Sequence, residues 1–154
     1  MTDYYSTEYT THRDGPDKNV PSTCNGVVYE YANFTSEDTI TTSDSIEMMK
    51  VPAGVRILPQ SFIIVSDLET SATVNVGYAA HTAQTDGSAV AVDVDAFCSA
   101  IDAASARTVT HFHESTTHDT GYVTTGEMIV TVSLGAGTAV SGDTIDLHLM
   151  YCKG

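Results

Sequence analysis

The chain has 154 residues, six Lys and Arg against twenty Asp and Glu, and a formal net charge of −14 at pH 7. That length fits one domain with one substantial core. So few cations cannot neutralise a run of phosphates, which excludes nucleic acid or an anionic membrane surface as the main partner. Hydrophobic residues make up 42 %, rich in Val, Thr, Ile and Tyr and without Trp, a composition that favours strands over helices. The acidity reads either as solubility, with self-repulsion screened by salt, or as attraction to a basic partner surface. Cys24, Cys98 and Cys152 are widely spaced with no CxxC pair, so neither a disulfide framework nor a structural zinc site is expected. The N-terminal stretch lacks the basic start and apolar core of a secretory signal, and no segment reaches the roughly 20 apolar residues of a membrane helix. The expectation is a soluble protein made in a cytoplasm.

Residues 1–25 differ from the rest. Tyr4, Tyr5 and Tyr9 stand among Thr, Ser, Asp and Glu, and Asp14-Gly15-Pro16-Asp17 and Val20-Pro21-Ser22 then break any period. Such a stretch is either a loose tail or an extended arm that orders on a neighbouring subunit. Three tyrosines in nine residues favour the arm, because Tyr is enriched at interfaces. The partner-contact candidates are therefore Tyr4, Tyr5 and Tyr9, and the domain proper spans residues 26–154.

Residues 27–34 form a strand candidate with Val27, Tyr29 and Tyr31 on one face, followed by a turn at 35–38 and a short strand at 39–42. Residues 46–80 supply a row of β-segments, read as the sheet against which the rest packs. The first, 46–51, meets a corner at Pro52-Ala53-Gly54 that leads to 55–58; Pro and Gly provide the fixed and the permissive φ a corner needs. The apolar run 62–68 and the alternating 73–78 are read as a hairpin joined at Glu69-Thr70-Ser71.

Residues 93–104 read as a helix, with its body at about 94–105. Asp93 or Asp95 would cap it, and Phe97, Ala100, Ile101 and Ala104 fall at i, i+3, i+4 and i+7. Strands return at 108–112, 122–125, 128–134 and 144–151, the last alternating Ile145, Leu147, Leu149 and Tyr151 against Asp146, His148 and Met150. About eight to ten short strands with turns every ten residues or so predict an all-β, antiparallel sandwich or barrel with one short helix.

The strongest chemical lead is His111-Phe112-His113 with His118 nearby. HxH on a strand puts both imidazoles on one face, as metal sites in jelly-roll enzymes require, with His118, Glu114 or His148 as a third ligand. The flanking pattern of the cupins is missing, however: Ser105 or Ala106 stands where a glycine belongs, and Thr117 or His118 where a glutamate belongs. Read without a metal, the histidines are polar surface and Phe112 points into the core. No GxSxG elbow, calcium loop or phosphate cradle is present in the sequence, so no catalytic residue and no cofactor is assigned. A carbohydrate-binding sandwich is disfavoured by the lack of Trp.

Four pieces in order carry a resemblance: Asp38-Thr39-Ile40, then Val51-Pro52-Ala53-Gly54-Val55-Arg56-Ile57, then Ser66 through Gly77 (SDLETSATVNVG), then Asp93 through Ala106 (DVDAFCSAIDAASA). Together they span about residues 38–106 and resemble the tailed-bacteriophage capsid cement, or decoration, proteins. The resemblance implies a jelly-roll-like β-sandwich, a homotrimer, and a place on the virion's capsid surface, where the protein binds across major capsid protein subunits. It carries no residue with a chemical role. The alternatives are another virion component, such as a head fibre base or minor tail protein, or a small metal-dependent jelly-roll enzyme using His111 and His113.

Overall fold

A computed structural model describes residues 3–5, 22–24, 26–104, 107–112 and 121–153, with side chains from residue 26 onward. It is a sandwich of two sheets. The main strands, in chain order, are β3 (Val27–Thr35), β4 (Ser45–Val51), β5 (Val55–Ile57), β6 (Phe62–Val65), β7 (Thr73–Tyr78), β10 (Asp93–Asp102), β11 (Thr108–His111), β13 (Met128–Ala136) and β14 (Thr144–Lys153). Two short strands, β1 (Asp3–Tyr5) and β2 (Ser22–Cys24), precede them; β8 (His81–Thr82) and β9 (Ala89–Val90) form a small hairpin, and β12 (Tyr122–Val123) pairs with β5. One sheet runs β1-β4-β13-β7-β10; the other runs β11-β6-β14-β3-β2, with β5 also on β14. Leaving out the short strands, successive strands are dealt between the two sheets in the jelly-roll order, β3-β14-β6-β11 facing β4-β13-β7-β10. Except for β1 on β4, every pairing is antiparallel.

The period-2 alternation of β14 explains the core. Ile145, Leu147, Leu149 and Tyr151 are buried, and Thr144, Asp146, His148 and Met150 face outward. Opposite them lie Val74 and Val76 of β7 and Val130, Val132 and Leu134 of β13. Each fully buried Leu or Val contributes about 1.5–3 kcal/mol. One end of the core is aromatic: Phe97 and Phe112 stack at 5.2 Å and 3°, and Tyr122 meets Phe97 edge-on at 5.5 Å. Burial pushes the Tyr122 hydroxyl far above its ordinary pKa.

Two tight features hold the connections on either side of β5. At the Pro52-Ala53-Gly54 corner Gly54 takes φ +71°, and Thr124 Oγ1 accepts from Val55 N (3.0 Å) and donates to Pro52 O (2.9 Å). Between β5 and β6 the buried Ser61 hydroxyl accepts from Met150 N at 2.9 Å and lies 3.2 Å from Met150 O, while Leu58 N donates to the same carbonyl. A side chain there completes the ladder along β14 that backbone alone leaves open.

Four sequence expectations are corrected. Residues 93–104 form no helix: Asp93–Asp102 is the bulged edge strand β10, whose partners jump from Asp93↔Tyr78 to Cys98↔Val76 to Ile101↔Val74. A bulge places consecutive residues on the same side. Ala96, Phe97 and Cys98 are thus all buried, with Ile101 four residues after Phe97, and this mimics a helical stripe. Ala100 adopts φ +51°, and its N–H is taken by Asn75 Oδ1 at 2.8 Å. The segments 62–68 and 73–78 make no hairpin, since β6 and β7 belong to different sheets. For the same reason residues 46–80 are no single sheet: β4 and β7 lie in one, β5 and β6 in the other. Residues 39–42 contribute only a bridge between Ile40 and Ala139. Among the described residues no helix is long and apolar enough to cross a membrane.

The bulge brings β10 hard against β7 at Gly77, where an added Cβ would sit 2.0 Å from Asp93 O and 2.4 Å from Val94 C. Only glycine fits beneath that backbone. Gly77→Ala is expected to destabilise the fold by about 3 kcal/mol, read as a lower urea midpoint at unchanged slope; an unchanged midpoint would show that the two strands separate freely.

Candidate interaction surface

The outer faces of the two sheets differ in character. On the five-stranded sheet Thr73, Asn75 and Ser133 face outward, and Lys50 pairs with Glu127 at 2.7 Å. The outer face of the seven-stranded sheet is aromatic, and its members follow from register. Tyr31 of β3 pairs with His148 of β14, which pairs with Phe62 of β6, which pairs with His111 of β11. Paired residues share a face, so one row crosses four strands.

Within this row His148 stacks on Phe62 at 4.2 Å and 13°, with Tyr31 at 4.9 Å on its other flank and His111 at 5.4 Å from Phe62. Tyr29, one row along, places its hydroxyl 2.6 Å from His148 Nδ1. With the imidazole neutral and its proton on Nε2, the phenol donates and Nδ1 accepts. Tyr31 also donates to Asp146 Oδ1 (2.9 Å), as does Asn33 Nδ2 (2.6 Å), and Arg107 approaches Asp146 Oδ2 at 3.6 Å. Despite these contacts Tyr29, Tyr31 and Val109 remain 40, 42 and 51 % exposed. Large apolar groups held in fixed orientations at a wet surface are what a protein partner can desolvate cheaply.

The electrostatics are equally uneven. Arg56 of β5 pairs in register with Cys152 and Val123 and so lies on this face, as does Arg107 just before β11. Among the described strand positions of this face Asp146 is the lone carboxylate. Carboxylates gather elsewhere, notably Asp67, Glu69 and Asp143 around a concavity between the loops at one end of the sandwich, where Glu69 accepts from Thr138 Oγ1. Among the described residues of this face, Arg107 is paired with Asp146 and Arg56 stands on β5.

The residues singled out from sequence are distributed as follows. His111 joins the outer aromatic row, and Phe112 is buried against Phe97. His113 and His118 lie outside the described residues, as does Tyr9. The backbones of Tyr4 and Tyr5 pair in parallel with Ile46 and Glu47 on the edge of the five-stranded sheet. Among the described residues no group of three His, Cys, Asp or Glu side chains is arranged to hold a metal ion. Sequence reasoning did not single out Phe62 and His148 as surface-forming residues. Their signal was an aromatic or imidazole ring on the outward positions of β6 and β14.

No protein-family model matches the chain, and no curated protein matches it. Two solved structures are similar in fold. A chain in the capsid of Ralstonia phage GP4 superposes with a TM-score of 0.68 at 18 % identity, covering 99 % of each chain. A chain in the capsid asymmetric unit of cyanophage Pam1 superposes with a TM-score of 0.59 at 23 % identity, covering 88 % of this chain and 91 % of that one.

His148 is held below its ordinary pKa, first by burial and then by Arg107, against the opposing pull of Asp146. A depressed folded value means the neutral ring stabilises the fold, an effect fully present above the unfolded value of about 6.5 and lost as pH falls through the folded one. The acid limb of stability between pH 7 and 5 is therefore expected to be shallower in His148→Gln than in the parent. Superimposable limbs would show that this ring does not couple to folding.

Proposed function

We propose that the chain is a structural protein of a bacteriophage virion, a capsid cement protein that sits on the head as a homotrimer and binds across major capsid protein subunits. The observation that carries this reading is the end-to-end match, 99 % of each chain, to a protein in a phage capsid. A jelly roll whose well-specified residues, Pro52, Gly54 and Gly77, serve corners and close packing is built for shape rather than for chemistry. Its acidic surface suits basic patches on a coat lattice and is repelled by packaged DNA. Stabilisation follows from mass action: a subunit that binds only the assembled lattice opposes its disassembly, and three linked subunits multiply weak contacts.

The test is cosedimentation of the purified protein with expanded, empty shells of the cognate coat protein. Binding should saturate at a fixed ratio to coat subunits and raise the temperature at which shells come apart. Shells that ignore the protein at high micromolar concentration would remove the cement reading.

The N-terminal tyrosines are proposed as anchors of an arm spanning residues 1–25. Replacing Tyr4, Tyr5 and Tyr9 together by Ala should weaken shell binding about tenfold or more while the urea midpoint stays put, since interface tyrosines are common hot spots. Undiminished binding would reduce the arm to a tail.

A further inference from the structure

We propose that the edge of β4 is a strand-acceptor site whose occupant is β1, residues Asp3–Tyr5, of a second copy of this chain. The proposal rests on the homotrimer reading above and deepens it by naming the element that links the subunits. The site is defined by what sits on it: Asp3, Tyr4 and Tyr5 pair in parallel with Ser45, Ile46 and Glu47. Among the described strands β1 pairs with β4 alone, so this short ladder is all that ties it to a domain. The opposite edge of the same sheet, β10, leaves its ladder twice and offers no regular template.

The choice of copy rests on chain length and charge. Residues 6–21 separate β1 from β2, which lies on the edge of the other sheet at the same side of the sandwich. Extended, a segment of that length reaches about 55 Å. A path within one molecule needs less than half of this, about 10 Å between the sheets and about 15 Å along the strands. The surplus is enough to reach the β4 edge of an adjoining domain, itself about 35 Å across. Exchange of β1 repeats the same backbone hydrogen bonds between molecules, so it needs no newly matched surface. That matters for copies of net charge −14, which repel one another. Strand addition draws its affinity from the main chain, which side-chain charge does not alter. With each copy giving β1 to the next, exchange closes into a ring of three and leaves no acceptor edge empty.

The experiment is oxidative crosslinking of the full chain in a Cys24→Ser, Cys152→Ser background, with Cys98 left in the core. One variant carries Asp3→Cys and another Ser45→Cys, positions that pair in register on adjacent strands, close enough for a disulfide. Unfolded in urea, mixed in equal amounts, refolded and oxidised, the two should give a disulfide-linked heterodimer on a non-reducing gel. Neither variant alone should give one, nor should Asp3→Cys mixed with Val109→Cys, an exposed position on the other sheet. The chain carrying both Asp3→Cys and Ser45→Cys should give linked dimers and trimers. Removing residues 1–5 should raise the parent's dissociation constant by at least about tenfold, as expected for the loss of a few backbone hydrogen bonds per contact. Crosslinks confined to single chains overturn the proposal, as does the absence of any crosslink or a truncated chain that associates like the parent. Shell binding by the same samples separates the two readings. A protein that crosslinks only within its own chain yet binds shells leaves the cement reading standing while this inference falls. Linked trimers that ignore shells keep the strand exchange and remove the cement reading. If the parent neither self-associates nor binds shells, both fall.

Discussion

The fold depends on β14. Its ten residues pair along one edge with β3 for nine positions and along the other with β6 and then β5, so three strands take their register from it. Its alternation is unbroken from Thr144 to Cys152, and a slip of one residue would turn Ile145, Leu147, Leu149 and Tyr151 out to solvent. The same constraint builds the outer surface. With the inner row locked, His148 must lie between Tyr31 and Phe62, and Asp146 must lie within reach of Tyr31, Asn33 and Arg107. Core and surface are two faces of one register.

The opposite sheet is less regular, and its irregularity is local. β10 leaves the ladder twice, and each departure is compensated by a specific group: Gly77 makes room for the backbone of Asp93 and Val94, and Asn75 Oδ1 satisfies the N–H of Ala100. Edge strands of this kind are poor templates for further pairing, since a bulge twists the free edge away.

Charge adds a second layer. A strong excess of carboxylates keeps the molecule soluble and makes indiscriminate self-association unfavourable.

Much of this was legible in the sequence. The alternation of residues 27–34, 73–78 and 144–151 identified strands and their inward rows, and the Pro52-Ala53-Gly54 corner and the absence of a nucleophile motif were read directly. These are local properties: period, turn chemistry and composition act within a few residues and need no partner. The pairing of strands was not legible, because a period-2 pattern states which side is buried and not which neighbour lies beside it. That is why 62–68 and 73–78 looked like a hairpin although they end in opposite sheets. Nor was β10 legible, since a bulge and a helix both bring residues four apart to one side, and only the contact of Gly77 with Asp93 and Val94 distinguishes them. The surface row of Tyr31, His148, Phe62 and His111 draws on four strands separated by as many as 117 residues (from Tyr31 to His148, 148 − 31). The sequence by itself determined that this chain would be an acidic, all-β protein with a continuous apolar core. Only the tertiary structure decided which outward residues would stand together, because that depends on register between distant strands, and register is settled by the packing of the core they enclose.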